Sequence, residues 1–201
     1  MTAKLSLTSC LLVLIMTLTS SAVANTLGPL SGLLIEGKDG SWIGAFQQGS
    51  YWLENPAERG AIQYFYAPYQ EGTGGKRKYS IDVDVSNTTA VARAGILYGL
   101  QNNPTRYFMI LVGRGGQVEV YKRDANGVNQ MIASTVQVKP GFNRVEIRED
   151  GRSVEYLVNG NSMGSFETND TGAGSLGIAA MGVGRFGFAN YSEGKAGGWF
   201  D

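Results

Sequence analysis

The stretch ARAGILYGLQNNPTRYFMILVGRGGQVEVYKR, from Ala92 to Arg123, decides the fold of this chain. It holds three runs rich in β-branched and aromatic residues, at Ala94–Leu100, Arg106–Val112 and Gln117–Arg123. Asparagine, proline and glycine residues separate the runs, and these residue types favour turns. The connections are too short for a crossover helix, so the runs are predicted to form neighbouring antiparallel strands.

The distribution of apolar residues predicts how these strands lie in a sheet. In the third run Val118 and Val120 alternate with polar residues, which indicates one packed face and one solvent face. The middle run, Tyr107–Val112, is apolar on both faces. It is therefore expected in the middle of the sheet and not at an edge.

The same alternation recurs outside this stretch. Tyr79–Val85 is predicted to bury its odd-numbered residues and to leave Ser80, Asp82 and Asp84 on a solvent-exposed face. Phe142–Glu149 places Val145 and Ile147 inward by the same rule. Short strands with turns about every 8–12 residues, and no helical period of convincing length, predict an all-β fold. An antiparallel two-sheet β-sandwich is expected. A closed barrel remains an alternative, since the spacing of turns does not distinguish the two folds.

Residues 1–24 have the features of a secretory signal peptide. Lys4 gives a basic start, Leu11–Met16 forms an apolar centre, and Ala22-Val23-Ala24 is a small-residue cleavage motif. We therefore expect a secreted or periplasmic protein whose single domain covers residues 25–201. The apolar run is too short to span a bilayer, and no later run of about 18 apolar residues occurs, so no membrane span is expected.

Composition excludes several classes of function. The chain has 17 Lys and Arg against 17 Asp and Glu, so it lacks the basic field that holds nucleic acid, and no nucleic-acid partner is expected. It has no histidine, which removes histidine-based triads and the commonest metal ligand. The single cysteine, Cys10, lies in the predicted signal peptide, so the mature chain has no disulfide and no thiolate site. No cofactor is expected.

A series of motifs follows the chain in a fixed order: Tyr79–Val85, 94–99, Tyr107–Val112, Val118–Arg123, 141–147, 158–160, 174–178 and 186–191. In this order they resemble the concanavalin A-like lectin/glucanase superfamily, including its laminin-G-like jelly rolls. The resemblance covers about residues 33–191 and implies a jelly-roll fold. It also implies a glycan ligand on the concave face of one sheet. Many members are protein-interaction modules, however, so the fold alone does not distinguish glycan binding from protein binding.

Asp82 and Asp84 form a candidate pair of functional carboxylates. They share one face of one predicted strand, with Cα atoms about 6.5–7 Å apart. Carboxylate pairs at such distances can hydrolyse glycosides. Retaining glucanases of the superfamily carry Glu-x-Asp-x-Glu, and the resemblance places Ser80, Asp82 and Asp84 at these positions. A serine in the nucleophile position argues against catalysis and leaves a glycan contact or a solvated strand face.

The exposed face of the central strands is predicted to show Arg93, Tyr107, Tyr121 and Arg123. Tyrosine rings stack on sugars, and arginine donates to their hydroxyl or carboxylate groups. For any one of these aromatics, packing in the core or against a neighbouring strand is the alternative. We therefore expect an exported, non-catalytic glycan-binding module whose ligand-binding candidates are these four residues and the two aspartates. A protein-interaction or structural module using a sheet face or edge, and a glycoside-active enzyme using the aspartates, stay open.

Overall fold

The computed structural model describes residues 26–68, 76–102, 104–169 and 175–195. The predicted signal peptide, residues 1–24, lies outside the described residues. The described chain begins with a 3-10 helix at Gly28–Leu33 and continues as strands only. The strands are β1 Gly37–Asp39, β2 Trp42–Gln47, β3 Ser50–Asn55, β4 Ile62–Pro68, β5 Lys76–Thr88, β6 Arg93–Asn102, β7 Thr105–Gly113, β8 Gln117–Asp124, β9 Gly127–Thr135, β10 Phe142–Asp150, β11 Ser153–Val158, β12 Asn161–Glu167, β13 Ser175–Met181 and β14 Gly184–Lys195.

These strands form two antiparallel sheets. The larger sheet has the order β1-β2-β3-β14-β5-β10-β11-β12, and the smaller sheet has the order β4-β13-β6-β7-β8-β9. The all-β two-sheet sandwich predicted from the sequence is confirmed, and the separation of the described strands into two sheets excludes the closed barrel. β6, β7 and β8 pair in sequence order, so the stretch Ala92–Arg123 forms the meander expected of it, with β7 in the interior of its sheet.

One hydrophobic core fills the space between the sheets. Val118, Val120, Val145 and Ile147 lie in it and are at most 1% exposed, which confirms the alternation predicted for β8 and β10. Leucines of the N-terminal helical segment also enter this core, although the sequence pattern did not assign them. The backbone amide of Tyr191 donates to the carbonyl of Thr26 at 2.7 Å and so ties this segment to β14.

Ser80 lies on the outer face of the larger sheet, yet only 2% of it is exposed. The neighbouring strand supplies the reason, because Arg144 of β10 donates from its Nη2 to the Ser80 hydroxyl oxygen at 2.6 Å. The prediction of a solvent-exposed Ser80 is therefore wrong. Alternation identifies the face of a strand, but a long side chain from the next strand can still cover that face.

A β-bulge interrupts β6. The pairing with β7 shifts register between Tyr98 and Gln101, and Gly99 within the bulge has φ of +66°. Glycine adopts this backbone conformation at low cost because it has no Cβ. The extra residue lets Tyr98 face the core while Leu97 and Leu100 both face outward into a second hydrophobic cluster.

A buried ion pair of the larger sheet accepts a hydrogen bond from the smaller sheet. Arg77 of β5 and Glu149 of β10 are cross-strand partners, with Nε and Oε1 3.8 Å apart and side chains 6% and 2% exposed. From the opposite sheet, the hydroxyl of Tyr98 donates to Oε2 of Glu149 at 2.8 Å. Burial, together with the charge of Glu149, raises the pKa of Tyr98 far above its ordinary value. The hydroxyl therefore stays protonated and keeps donating.

Candidate functional site

The outer face of the smaller sheet is aromatic and apolar where a solvent-facing sheet surface is usually polar. Four tyrosines lie on it: Tyr64 and Tyr66 of β4, Tyr107 of β7 and Tyr121 of β8. We call this surface the tyrosine face. Beneath and between the rings lies the second hydrophobic cluster, which includes Leu97, Leu100, Met109, Leu111 and Ala179. A concentrated apolar patch of this kind marks an interaction surface more often than scattered apolar residues do.

Small residues allow tyrosines on distant strands to meet. β13 and β6 lie between β4 and β7, so the backbones that carry Tyr64 and Tyr107 are about 14 Å apart. Their ring centroids are nevertheless only 5.5 Å apart, with an interplanar angle of 52°. The register places Ala179 and then Gly95 beside Tyr64. The ring of Tyr64 therefore extends over a floor of positions that carry no side chain larger than a methyl group, and like Tyr107 it packs with the leucine and methionine side chains of the second cluster.

The backbone itself requires glycine in this floor. A Cβ at Gly177 would lie 1.8 Å from the carbonyl oxygen of Phe65, and one at Gly95 would lie 2.0 Å from that of Ile110. Both contacts are far inside van der Waals distance and involve backbone that cannot move without disturbing the sheet. Tyr66 completes the aromatic row, since its ring centroid is 6.2 Å from that of Tyr64.

A chain of polar contacts holds Tyr121 in place. The Tyr121 hydroxyl donates to Oε2 of Glu119 at 2.6 Å, and Nη2 of Arg93 donates to Oε1 of the same carboxylate at 3.2 Å. Arg93 also donates from Nη1 to the backbone carbonyls of Ala90 and Ala92, at 2.7 and 2.9 Å. Burial, followed by the hydrogen bond and the charge of Glu119, raises the pKa of Tyr121 to about 12. The ring of Tyr121 is thus fixed while part of it remains exposed.

Arg123 differs from Arg93, although the sequence analysis grouped them. Arg93 is 7% exposed and its contacts lie within the protein, so the structure places it under the face as a support for Glu119. Arg123 is half-buried, and no residue that the structure describes pairs with it. It lies directly across from Tyr107 in the β7–β8 register. Tyr107 is 5% exposed, and its hydroxyl likewise has no partner among the described residues.

Asp82 and Asp84 lie on the opposite side of the molecule, on the outer face of the larger sheet. Asp82 accepts a hydrogen bond from Nδ2 of Asn190 at 2.8 Å, and its other carboxylate oxygen lies 3.5 Å from Nη1 of Arg144. Asp84 accepts from the backbone amide of Ser86 at 2.8 Å. Both aspartates therefore have structural partners. Because two packed sheets separate the two outer faces, one sugar cannot contact these aspartates and the tyrosine face together.

The six predicted residues thus divide into two groups. The four residues of the central meander do share one face, as their spacing predicts, but Arg93 and Tyr107 are buried, so the prediction that this face exposes them is wrong. The two aspartates belong to the other outer face, and the predicted solvent exposure of Asp84 is also wrong, because Asp84 is buried. Sequence reasoning did not assign Glu119 to the candidate site, although its place between Val118 and Val120 was a signal that it shares the face of Tyr121. Tyr64 and Tyr66 are two residues apart in sequence and so share one strand face, but no local pattern places that strand in the sheet.

Other kinds of site find little support in the described part of the chain. In residues 26–68, 76–102, 104–169 and 175–195, no cluster of three or more acidic, histidine or cysteine side chains could hold a metal ion. Over the same ranges, no helix is long and apolar enough to cross a membrane.

Comparison with known proteins identifies the fold. No model of a known protein family matches the sequence, and no curated protein sequence matches it. Among solved structures, the carbohydrate-binding module CBM66 from Bacillus subtilis matches with a TM-score of 0.59 and 10% identity, over 77% of this chain and 91% of that one. The Bacillus licheniformis beta-glucanase matches with a TM-score of 0.58 and 10% identity, over 81% of this chain and 92% of the glucanase.

The carbohydrate recognition domain of Emp47p also matches, with a TM-score of 0.55 and 7% identity, over 82% of this chain and 98% of that domain. At such low identity these matches define the fold and not the activity. The chain has the concanavalin A-like jelly-roll fold, which confirms the resemblance that the sequence motifs carried.

Proposed function

We propose that this concanavalin A-like jelly roll binds glycans without cleaving them, and that the tyrosine face is its binding surface. The observation that carries the proposal is the presence of four tyrosines and the unpaired Arg123 on one outer sheet face. Tyrosine rings bind the apolar faces of sugars, and a guanidinium donates to their oxygen atoms. The same fold supports carbohydrate recognition in solved structures that this chain resembles.

Each residue of the face has a distinct role in this proposal. Tyr121 is half-exposed and offers the ring on which a sugar stacks. Arg123 lies two residues further along the same strand face, about 6.5 Å away, within reach of an oxygen on that sugar. Arg93 and Glu119 are positioning residues, because they hold Tyr121 and do not themselves face the ligand. Tyr107 lies directly across from Arg123 on the neighbouring strand.

The carboxylates favour binding without catalysis. Glycoside hydrolysis by the common mechanism needs two carboxyl groups on either side of the scissile bond. Among the described residues of the tyrosine face, Glu119 is the one carboxylate, and Arg93 and Tyr121 already occupy its oxygens. Asp82 and Asp84 are engaged on the other sheet. These contacts support structural roles for both aspartates.

We further propose that the protein is exported. The basic start, the apolar centre and the Ala22-Val23-Ala24 motif support cleavage near Ala24. An exported module of this kind would meet polysaccharides in the periplasm or outside the cell.

A polysaccharide binding assay with two matched double variants tests the proposal. Tyr121→Ala with Arg123→Ala removes one ring and one cation from the tyrosine face, and we expect it to abolish binding. Trp52→Ala with Arg185→Ala removes the same kinds of groups from the outer face of the larger sheet, where the guanidinium lies 4.4 Å from the indole centroid. We expect this control to bind as the wild type does.

Thermal unfolding must first show that both double variants are folded. If Tyr121→Ala with Arg123→Ala does not fold, the single variant Arg123→Ala replaces it. Loss of binding in the Trp52 control with retention in the Tyr121 variant would move the site to the other sheet. The absence of binding to any polysaccharide would favour the protein-interaction alternative. Release of reducing sugar that Asp82→Asn abolishes would overturn the non-catalytic part of the proposal.

A further inference from the structure

The arginines on the two outer faces differ in whether they are paired. On the larger sheet, Arg144 lies 3.5 Å from Asp82, and Nε of Arg148 donates to Glu146 at 2.8 Å. Arg185 stacks on an indole ring. On the tyrosine face, Arg93 has its counter-ion in Glu119. Within the part of the chain that the structure describes, Arg123 alone among these five arginines has neither an acidic partner nor a stacked ring.

The strand explains why none of the described residues nearest to Arg123 in sequence pairs with it. Asp124 follows it directly, but successive side chains of a strand point to opposite faces. Asp124 instead lies 4.0 Å from Lys122 and accepts a hydrogen bond from the backbone amide of Asn126 at 2.8 Å. The charges that the described residues place on the tyrosine face therefore do not balance. Arg93 and Glu119 cancel, and one positive charge remains at Arg123.

We infer that the ligand of the tyrosine face is an acidic glycan, and that Arg123 binds the carboxylate of a uronic acid residue stacked beside it. This inference rests on the proposed function and specifies its ligand class. A guanidinium with no partner among the described residues presents two parallel N–H groups, which match the two oxygens of a carboxylate. The partly exposed ring of Tyr121 on the same face fits the sugar that carries the carboxylate.

The chemistry of the surroundings supports this choice. The Tyr107 hydroxyl, across from Arg123, has no partner among the described residues and can donate to a second oxygen of the ligand. Burial and the neighbouring Tyr64 raise the pKa of Tyr107, so its hydroxyl remains a donor at neutral pH. A neutral sugar would use these donors, but it would leave the positive charge of Arg123 unmatched.

The overall charge of the chain makes this inference specific. Equal numbers of acidic and basic residues give no general attraction for polyanions. Binding to an acidic polysaccharide would therefore depend on one side chain and not on a diffuse field. The adjacent Lys122 provides a matched control, because it has the same charge one residue away and faces the other side of the strand.

The experiment measures affinity for polygalacturonate, alginate and hyaluronan, each beside its methyl ester, in which the carboxylate is neutralised and the ring is kept. We expect at least one acid to bind at least about 10-fold more tightly than its ester. Arg123→Gln should weaken that binding by about 10- to 100-fold and reduce its dependence on salt. Arg123→Lys should recover only part of the affinity, since it restores the charge without the paired N–H groups. Lys122→Gln should bind as the wild type does.

Three results would overturn the inference, and they are distinguishable. Equal binding of acids and esters, unaffected by Arg123→Gln, would refute the acidic ligand while leaving the proposed glycan-binding function in place. The absence of binding to all six polymers and to neutral polysaccharides would refute both. Equal weakening by Lys122→Gln and Arg123→Gln would reduce the effect to general charge and would also refute a specific carboxylate contact.

Discussion

Replacing Glu119 by glutamine tests whether the support beneath the tyrosine face does what its geometry indicates. The substitution removes one negative charge while keeping the size of the side chain. In the wild type, the two carboxylate oxygens accept from Arg93 at 3.2 Å and from Tyr121 at 2.6 Å. A glutamine amide has one oxygen and one NH2 group, so its oxygen can replace only one of the two carboxylate oxygens, and a donor NH2 group takes the place of the other.

The contacts of Glu119 determine how much stability the substitution should remove. Removing one partner of a buried ion pair costs about 3–5 kcal/mol when the other charge is left uncompensated. Arg93 would keep its hydrogen bonds to the carbonyls of Ala90 and Ala92, and the glutamine would keep one acceptor. The loss then corresponds to one hydrogen bond to a charged group. We therefore expect the free energy of unfolding to fall by about 1.5–3 kcal/mol at neutral pH.

The titration of Tyr121 provides a second readout that general destabilisation would not change. Two of the three influences that raise its pKa to about 12 come from Glu119, and burial is the third and largest. In Glu119→Gln the pKa should fall toward the ordinary tyrosine value of about 10 without reaching it. Because the pKa is higher in the folded protein than in the unfolded chain, this hydroxyl stabilises the fold fully below about pH 10. That contribution is lost as pH rises toward 12, and the loss should be smaller in the variant.

Urea unfolding measures the first effect, and ultraviolet absorbance of tyrosinate measures the second. Tyr121→Phe in each background identifies which part of the titration belongs to Tyr121. Glu155→Gln is the matched control, because this glutamate is more exposed, and we expect it to change stability by no more than about 0.5 kcal/mol. If Glu119→Gln left both the unfolding free energy and the tyrosine titration unchanged, the proposed support of Tyr121 would be refuted.

Three further predictions concern stability and processing. Ile147→Ala should lower the free energy of unfolding by about 2–5 kcal/mol in urea, because Ile147 is fully buried between the sheets; a loss below 1 kcal/mol by that measurement would contradict its place in the core. Glu149→Ala should cost about 3–5 kcal/mol, since it removes the carboxylate from the buried Arg77 and the acceptor from Tyr98, and Tyr98→Phe should cost about 1 kcal/mol; similar losses in both variants would argue against an ionic contribution. N-terminal sequencing of exported protein should begin at Asn25, and a sequence starting at Met1 would rule out cleavage.

The sequence predicted those parts of the fold that depend on neighbours along the chain. β6, β7 and β8 pair through short connections, so alternation and turn residues determined both their order and their inward faces. The shared face of Tyr107, Tyr121 and Arg123 followed from the same argument. Alternation is reliable here because each strand pairs with the next one in sequence.

Features that depend on distant residues were beyond this reasoning. β4 joins the smaller sheet by pairing with β13, more than a hundred residues later, and no local pattern indicates that partner. The place of Tyr64 beside Tyr107 therefore became visible only in the structure. Likewise, the burial of Ser80 depends on the conformation of Arg144, and a pattern of residue types does not contain that information.

The glycine and alanine floor between the tyrosines separates the residues that shape the binding surface from the residues that touch a ligand. Gly95, Gly177 and Ala179 lie on strands that carry none of the four tyrosines, yet the approach of Tyr64 to Tyr107 depends on their small size. The two glycines cannot be enlarged without displacing backbone, whereas Ala179 already carries a Cβ and is 1% exposed beside Tyr64. A larger residue at Ala179 would press against the ring of Tyr64 and change the shape of the surface, while every contacting side chain stayed the same. Inherited changes in specificity in such a module need not appear among its contact residues at all.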